Sequence, residues 1–188
     1  VRDRFAGLVL GAVHRGPWAF VGRAASHVRG AAAHCGRLAS MVKVIAFDVF
    51  GTVVAWHGSI TRQVGGLGLG IHASAVATAW RAGYAPAMDE VRSGALGWTR
   101  IDELHRRVLD RILPTFGLDL DEAARQSLNR VWHRLDPWPD VVAGLNRLKS
   151  RFIVCTLSNG NIGLLTAMAK HAGLPWDCVL SAENFHHY

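Results

Sequence analysis

Short β-branched runs alternate with stretches of helical periodicity along most of this chain, and their order predicts its architecture. Residues 42–47 (VKVIAF) form an apolar run that ends at Asp48, the pattern of a strand buried in a parallel sheet. Phe50-Gly51-Thr52 breaks the run, and Gly51 supplies backbone freedom where the chain must turn over the strand end. From about Ser59 to Asp136 the apolar positions recur at helical spacing. Residues 73–82 predict one short helix. Ile101, Leu104, Val108, Leu109 and Ile112 mark the apolar face of another, with Asp102 and Glu103 in its first turn, where the helix dipole favours acids. Pro114 and Gly117 stop it, and Leu120-Asp121 opens the next, with Ala124, Leu128 and Val131 on one face. Residues 136–140 (DPWPD) are punctuation. Beyond them, residues 141–148 predict a helix, 152–157 (FIVCTL) a second buried strand, 162–172 a helix and 178–181 a third short strand.

Strand, helical block, helix, strand, helix, strand is the order of an α/β parallel sheet with an all-helical insertion after its first strand. The expected division is residues 41–58 for the first strand and its loop, 59–136 for the helical insertion and 137–188 for the continued sheet. Residues 1–40, rich in Ala, Gly and Arg, are expected to lie outside the domain, with Met41 as the natural start. Arg2 and Arg4 before a short apolar run imitate a leader, but no small-residue cleavage site follows at the usual distance. The Gly-rich run at residues 65–70 follows no strand and has the wrong spacing for a dinucleotide fingerprint, so it reads as a flexible turn.

Charge changes this picture only at the N-terminus. The net charge of +7 comes mostly from residues 1–40, which hold six Arg against one Asp, whereas residues 41–188 hold 15 Lys/Arg against 13 Asp/Glu. The remainder therefore carries no basic stripe of the kind that binds nucleic acid. No apolar run reaches the ~20 residues needed to cross a bilayer. Cys35, Cys155 and Cys178 form no CxxC pair, which fits a reducing cytoplasm, and Cys155 and Cys178 read as small core residues. His186 and His187 read as a solvated loop rather than a metal pair.

Ligands bind beyond the carboxyl ends of strands in an open parallel sheet. Two strands end in polar groups: the first in Asp48-Val49-Phe50-Gly51-Thr52, the second in Ser158-Asn159-Gly160-Asn161. A right-handed crossover would bring both to one edge, giving a cleft with a carboxylate, hydroxyls, an amide and free N–H groups. Asp48 could instead serve as a helix N-cap or turn residue, but its place directly after an apolar strand favours a site residue.

Residues 47–52 (FDVFGT) and 157–160 (LSNG) resemble the first two motifs of the haloacid dehalogenase superfamily, and the helical span between them is similar to the cap inserted there in many members. The resemblance implies a Rossmann-type core with an inserted helical cap. Phosphatase members carry a second Asp two residues after the nucleophile, where this chain has Phe50; a phenyl ring can neither transfer a proton nor support a metal-ligating loop. Type II 2-haloacid dehalogenases have an aromatic residue there and need no metal or other cofactor. The resemblance therefore implies hydrolysis of short 2-haloacids with Asp48 as nucleophile, oriented by Thr52. Arg81, in a Trp80-Arg81 pair similar to that family's halide-binding segment, and Asn159 would receive the halide. Ser158 and the N–H groups of Val49 and Phe50 would receive the substrate carboxylate. A small-molecule haloacid would be the partner, with neither nucleic acid nor membrane, and the family allows a homodimer. The superfamily's third-motif lysine and fourth-motif acid do not occur before Tyr188, and Lys149 and Lys170 are poor substitutes. The expectation is thus a core incomplete at its C-terminus, an exposed apolar sheet surface and no activity from these 188 residues alone. The alternatives are a phosphatase of the same superfamily and a non-catalytic remnant.

Overall fold

Three strands, β1 (Val44–Phe47), β2 (Ile153–Ser158) and β3 (Cys178–Ser181), pair side by side in the order β1-β2-β3, all parallel. They belong to a computed structural model that describes residues 42–188, so the expectations for residues 1–40 and for Cys35 lie outside the described residues. β1 is shorter than predicted, though the Lys43 carbonyl still accepts from the Ile153 N–H at 2.9 Å.

Between β1 and β2 lie five helices, α1 (Trp56–Gly65), α2 (Ala73–Ala82), α3 (Tyr84–Arg92), α4 (Ile101–Ile112) and α5 (Glu122–Asn129). α6 (Val141–Lys149) leads into β2, and α7 (Ile162–Ala172) crosses from β2 to β3. α4 buries Ile101, Leu104, Val108 and Leu109 as its periodicity predicts. Burial of aliphatic side chains of that size contributes about 1.5–3 kcal/mol each. α3 lies in the span expected to be helical, without having been singled out as a separate helix, and it contains Pro86. The proline falls in the first turn, where the missing N–H would have had no intrahelical partner. Val131 is not on the α5 face as expected: the chain tightens into a 3₁₀ turn over Arg130–Arg134, which still buries Val131 and Trp132. Among the described residues no helix is long and apolar enough to cross a membrane.

The two crossings between sheet and helical insertion are sewn together. Val54 bridges Pro137, the Ala55 N–H donates to the Asp136 carbonyl at 2.9 Å, and the Trp138 N–H donates to the Val53 carbonyl at 3.1 Å. The Asp136 carboxylate receives the Ser59 hydroxyl at 3.1 Å and pairs with Arg62. The predicted punctuation is thus a two-stranded hinge, and the insertion's first helix opens at Trp56, just before Ser59. Two apolar side chains of β2 are exposed, Ile153 at 51% and Leu157 at 38%, while Cys155 between them on the same face is covered. Cys155 is buried as expected, but Cys178 is exposed; it opens β3, an outer strand of the described sheet, so the core reading fails for it.

Candidate functional site

Strand register gathers the two polar turns. Phe47 pairs with Thr156, so the next residue on β1, Asp48, stands at the same sheet edge as the Ser158-Asn159 turn. The Asp48 carboxylate is exposed there, and Oδ2 accepts from the Thr52 hydroxyl at 3.0 Å. The intervening turn is closed by Val53 and Val54 N–H groups donating to the Val49 carbonyl (2.9 and 3.2 Å), with Gly51 at φ +91°. That φ is open to glycine and strained for other residues, which explains why Gly51 stands between Asp48 and Thr52. The N–H groups of Val49 and Phe50 donate to no carbonyl in this turn.

The second turn packs directly on the first. A Cβ on Gly160 would lie 3.1 Å from the Phe50 ring and 3.0 Å from Leu165, so glycine here permits the two loops to touch. Phe50 is buried, with its ring edge-on to Trp132 at 6.0 Å. The position two residues after Asp48 therefore holds an apolar wall rather than a proton donor. Ser158 is also buried, and its oxygen accepts from the Gly160 N–H at 3.2 Å, which leaves its hydroxyl proton to donate.

Arg81 approaches from the helical insertion at the last turn of α2. Among the described residues it makes no hydrogen bond or ion pair; its guanidinium lies 4.1 Å from the Tyr84 ring centroid and 5.9 Å from that of Trp56. Cation–π contacts of this kind contribute about 0.5–2 kcal/mol. The elbow between α2 and α3 exists because Gly83 has no side chain: a Cβ there would lie 2.4 Å from a Val108 methyl on α4. α3 then leans on the second turn, with the Asn159 amide 3.5 Å from the Met88 sulfur. Burial pushes the Tyr84 phenol up from its ordinary value; Asn159 and Arg81 lie close enough to pull it back, and Asp48 adds to the rise. Tyr84 thus carries Arg81 on its ring and feels the charge of Asp48.

Asp48, Thr52, Ser158 and Asn159 accordingly share one edge, while Arg81 rests on Tyr84 and Trp56 in the insertion. Sequence reasoning missed Tyr84, Met88 and Trp56. Tyr84 stands three residues after Arg81, about one helical turn, and that spacing is the signal that could have found it. Lys149 lies at the other end of β2, held by Asp177 at 2.6 Å and the Pro175 carbonyl at 3.0 Å, so it plays no part in the cluster. A cavity of about 390 Å³ opens on the far side of Thr52, lined by Phe47, Val53, Trp138, Val141 and Leu145. Its lining is mostly apolar, with Asp140 its only charged residue. His186 stacks on Trp98 at 5.5 Å in an exposed loop, as the solvated reading expects.

Comparison with known proteins gives a consistent result. The profile of the haloacid dehalogenase-like hydrolases matches residues 42–186. The (S)-2-haloacid dehalogenase 4A of Burkholderia cepacia is 29% identical over 153 residues, covering 78% of this chain and 64% of that protein. The (S)-2-haloacid dehalogenase of Pseudomonas sp. (strain YL) is 31% identical over 146 residues, covering 76% and 61%. Among solved structures, the L-2-haloacid dehalogenase PA0810 superposes with a TM-score of 0.75 at 46% identity, covering 78% of this chain and 64% of that one. The defluorinating L-2-haloacid dehalogenase Rha0230 gives 0.76 at 40% identity, covering 80% and 65%. The chain thus spans just under two thirds of the length of the relatives it matches.

Proposed function

The chain belongs to the haloacid dehalogenase-like hydrolase family, and from that premise we propose that its site performs hydrolytic dehalogenation of short 2-haloalkanoic acids, giving 2-hydroxy acids. The observation that carries this reading is a pair of unneutralised charges: among the described residues neither Asp48 nor Arg81 has an ion-pair partner, and Arg81 rests on the ring of Tyr84, whose phenol feels the Asp48 charge. A carboxylate nucleophile needs one oxygen fixed and the other free. Thr52 holds Oδ2, so Oδ1 attacks the halogen-bearing carbon; a C–O bond forms as the carbon–halogen bond breaks and the halide leaves with its electron pair. Arg81 and the Asn159 amide meet the departing anion, while Ser158 and the N–H groups of Val49 and Phe50 hold the substrate carboxylate. Water then adds to the Asp48 carboxyl carbon, releasing the 2-hydroxy acid and restoring Asp48.

Phe50 argues against the phosphatase alternative, because its buried ring fills the place where that chemistry needs an acid. Asp48 is exposed in this structure, so the helical insertion would act as a cap only by closing further over it, since a hydrated carboxylate is a poor nucleophile. Two free thiols, Cys155 and Cys178, fit a cytoplasmic setting. The test is halide release from (S)-2-chloropropanoate by the protein as its native host makes it, beside hydrolysis of p-nitrophenyl phosphate with Mg²⁺. Chloride release with phosphate ester left intact is expected; phosphate release alone would overturn the reading.

A further inference from the structure

Asparagine is among the best helix N-caps, because its side-chain oxygen can accept from the orphan N–H groups of the first turn. Asn161 occupies the N-cap position of α7, yet its side chain makes no capping bond to that helix. The Ile162 N–H is served instead by the Glu183 carboxylate at 2.7 Å. The Asn161 carboxamide, 95% buried, points away from its own helix toward the N-terminus of α4 in the helical insertion. There it closes a two-point ring with one residue: its Nδ2 donates to Asp102 Oδ2 at 2.9 Å, and its Oδ1 accepts from the Asp102 N–H at 3.3 Å. Asn161 thus serves an orphan donor of another helix, 59 residues away in sequence.

The other groups around Asp102 fix it from the opposite side. His133 Nε2 lies 2.9 Å from Oδ1, and the Asn129 amide donates to the Asp102 carbonyl at 2.9 Å. Burial would raise the Asp102 carboxyl, but the hydrogen bonds from His133 and Asn161 outweigh it and hold the group below its ordinary value. Asp102 is therefore a rigid, charged anchor, and what it anchors is the residue two positions beyond Asn159. A part-buried, charge-assisted hydrogen bond of this kind is stronger than a neutral one.

We propose that Asn161 is a positioning residue for the site: by closing on Asp102 it ties the Ser158-Asn159-Gly160 turn to the helical insertion and sets where Asn159 stands relative to Asp48. The clasp gives a covalent-chain path of two residues from the insertion to the amide that meets the leaving halide. It also explains why the second turn carries Asn at residue 161, a position that the site chemistry does not use. The role in turnover rests on the dehalogenation reading; the clasp itself does not.

The test compares Asn161→Ala, Asn161→Asp, Asp102→Asn and the reciprocal swap Asp102→Asn/Asn161→Asp in the protein as its host makes it. The readouts are kcat and KM for halide release, measured well below the melting temperature of the weakest variant, and amide hydrogen exchange over residues 158–162. Asn161→Ala should lower kcat about 10- to 100-fold, the scale on which a small misplacement of a catalytic group acts. KM should change far less, and exchange over residues 158–162 should rise. Asn161→Asp, facing the Asp102 carboxylate, should be worse. The swap restores the complementary pair and should recover most of kcat and of the protection. A merely structural role would lower the melting temperature without a kcat loss that the swap reverses. The inference is overturned if exchange over residues 158–162 is unchanged in Asn161→Ala, or if the swap does no better than Asn161→Asp. Should the wild type release no halide while exchange still follows the clasp and the swap, the dehalogenation reading alone falls.

Discussion

The two sides of this site are held in different ways. On the sheet side, Asp48 is fixed by a hydroxyl at 3.0 Å, on a turn closed by backbone bonds of 2.9 and 3.2 Å. On the insertion side, Arg81 has no hydrogen bond among the described residues and rests on the faces of Tyr84 and Trp56. Hydrogen bonds set direction within narrow angular limits, whereas ring faces hold a cation near a place without dictating its aim. Asp48, the proposed nucleophile, whose attack angle matters, has the directional support. The cation, which must meet an anion that moves as it leaves, has the adaptable one.

Behind Arg81 the contrast deepens. The insertion's interior is an aromatic stack in which His105 lies 4.1 Å from Trp132 with nearly parallel rings, and Trp80 donates to the His105 carbonyl at 2.8 Å. Both His105 ring nitrogens and the Trp132 indole N–H are buried with no hydrogen-bond partner. Burial pushes the His105 imidazole down to about 3, with Arg81 and His133 adding to the fall and Asp102 opposing it. The insertion thus carries unsatisfied polar atoms that the sheet side lacks among its site residues.

Substitutions should break the comparison in a definite order. Asp48→Asn removes the nucleophile and should lower kcat/KM for halide release at least about 10³-fold. Arg81→Leu removes the cation proposed to meet the halide and should cost about 10²- to 10³-fold in kcat, the range for losing one charge-stabilising donor. Thr52→Val keeps the shape but loses the bond to a charged acceptor, for an expected loss of about 10-fold or somewhat more in kcat. Tyr84→Leu leaves Arg81 present but unsupported, so a few-fold loss with raised KM is expected; a loss equal to that of Arg81→Leu would mean the platform is not adaptable.

The smallest effect is on stability, and its sign follows from the depressed His105 value. An unfolded chain takes up a proton near 6.5 and the folded one only near 3, so stability should fall steadily as pH drops through that interval. His105→Phe should flatten the acid limb of a denaturation series and raise stability at neutral pH by about 1 kcal/mol, since it removes two unpaired polar atoms. An unchanged acid limb would show that His105 is hydrogen-bonded in solution.

The sheet side was also the more legible one. An apolar run ending in Asp48 and another ending in Ser158-Asn159-Gly160 are local patterns, and β1 and β2 follow them within two residues. Arg81 was legible by its neighbour Trp80, but its support was not. Tyr84 becomes a platform only because Gly83 lets the α2–α3 elbow pack on Val108, a contact between distant segments. The Asn161–Asp102 clasp was hidden for the same reason, and Asp102 itself read only as a first-turn acid. Cys178 misled because an apolar neighbourhood in sequence does not reveal which strand lies at an edge.

The central claim is that Asp48 forms and loses an ester, and isotope labelling tests it most directly. The protein as its host makes it would be incubated with (S)-2-chloropropanoate in H₂¹⁸O, and the Asp48 peptide and the first-turnover lactate weighed separately. The account predicts unlabelled lactate from a single turnover and ¹⁸O accumulating in the Asp48 carboxylate over many. Labelled lactate from the first turnover with an unlabelled Asp48 would mean that water attacks the substrate directly, and would contradict it.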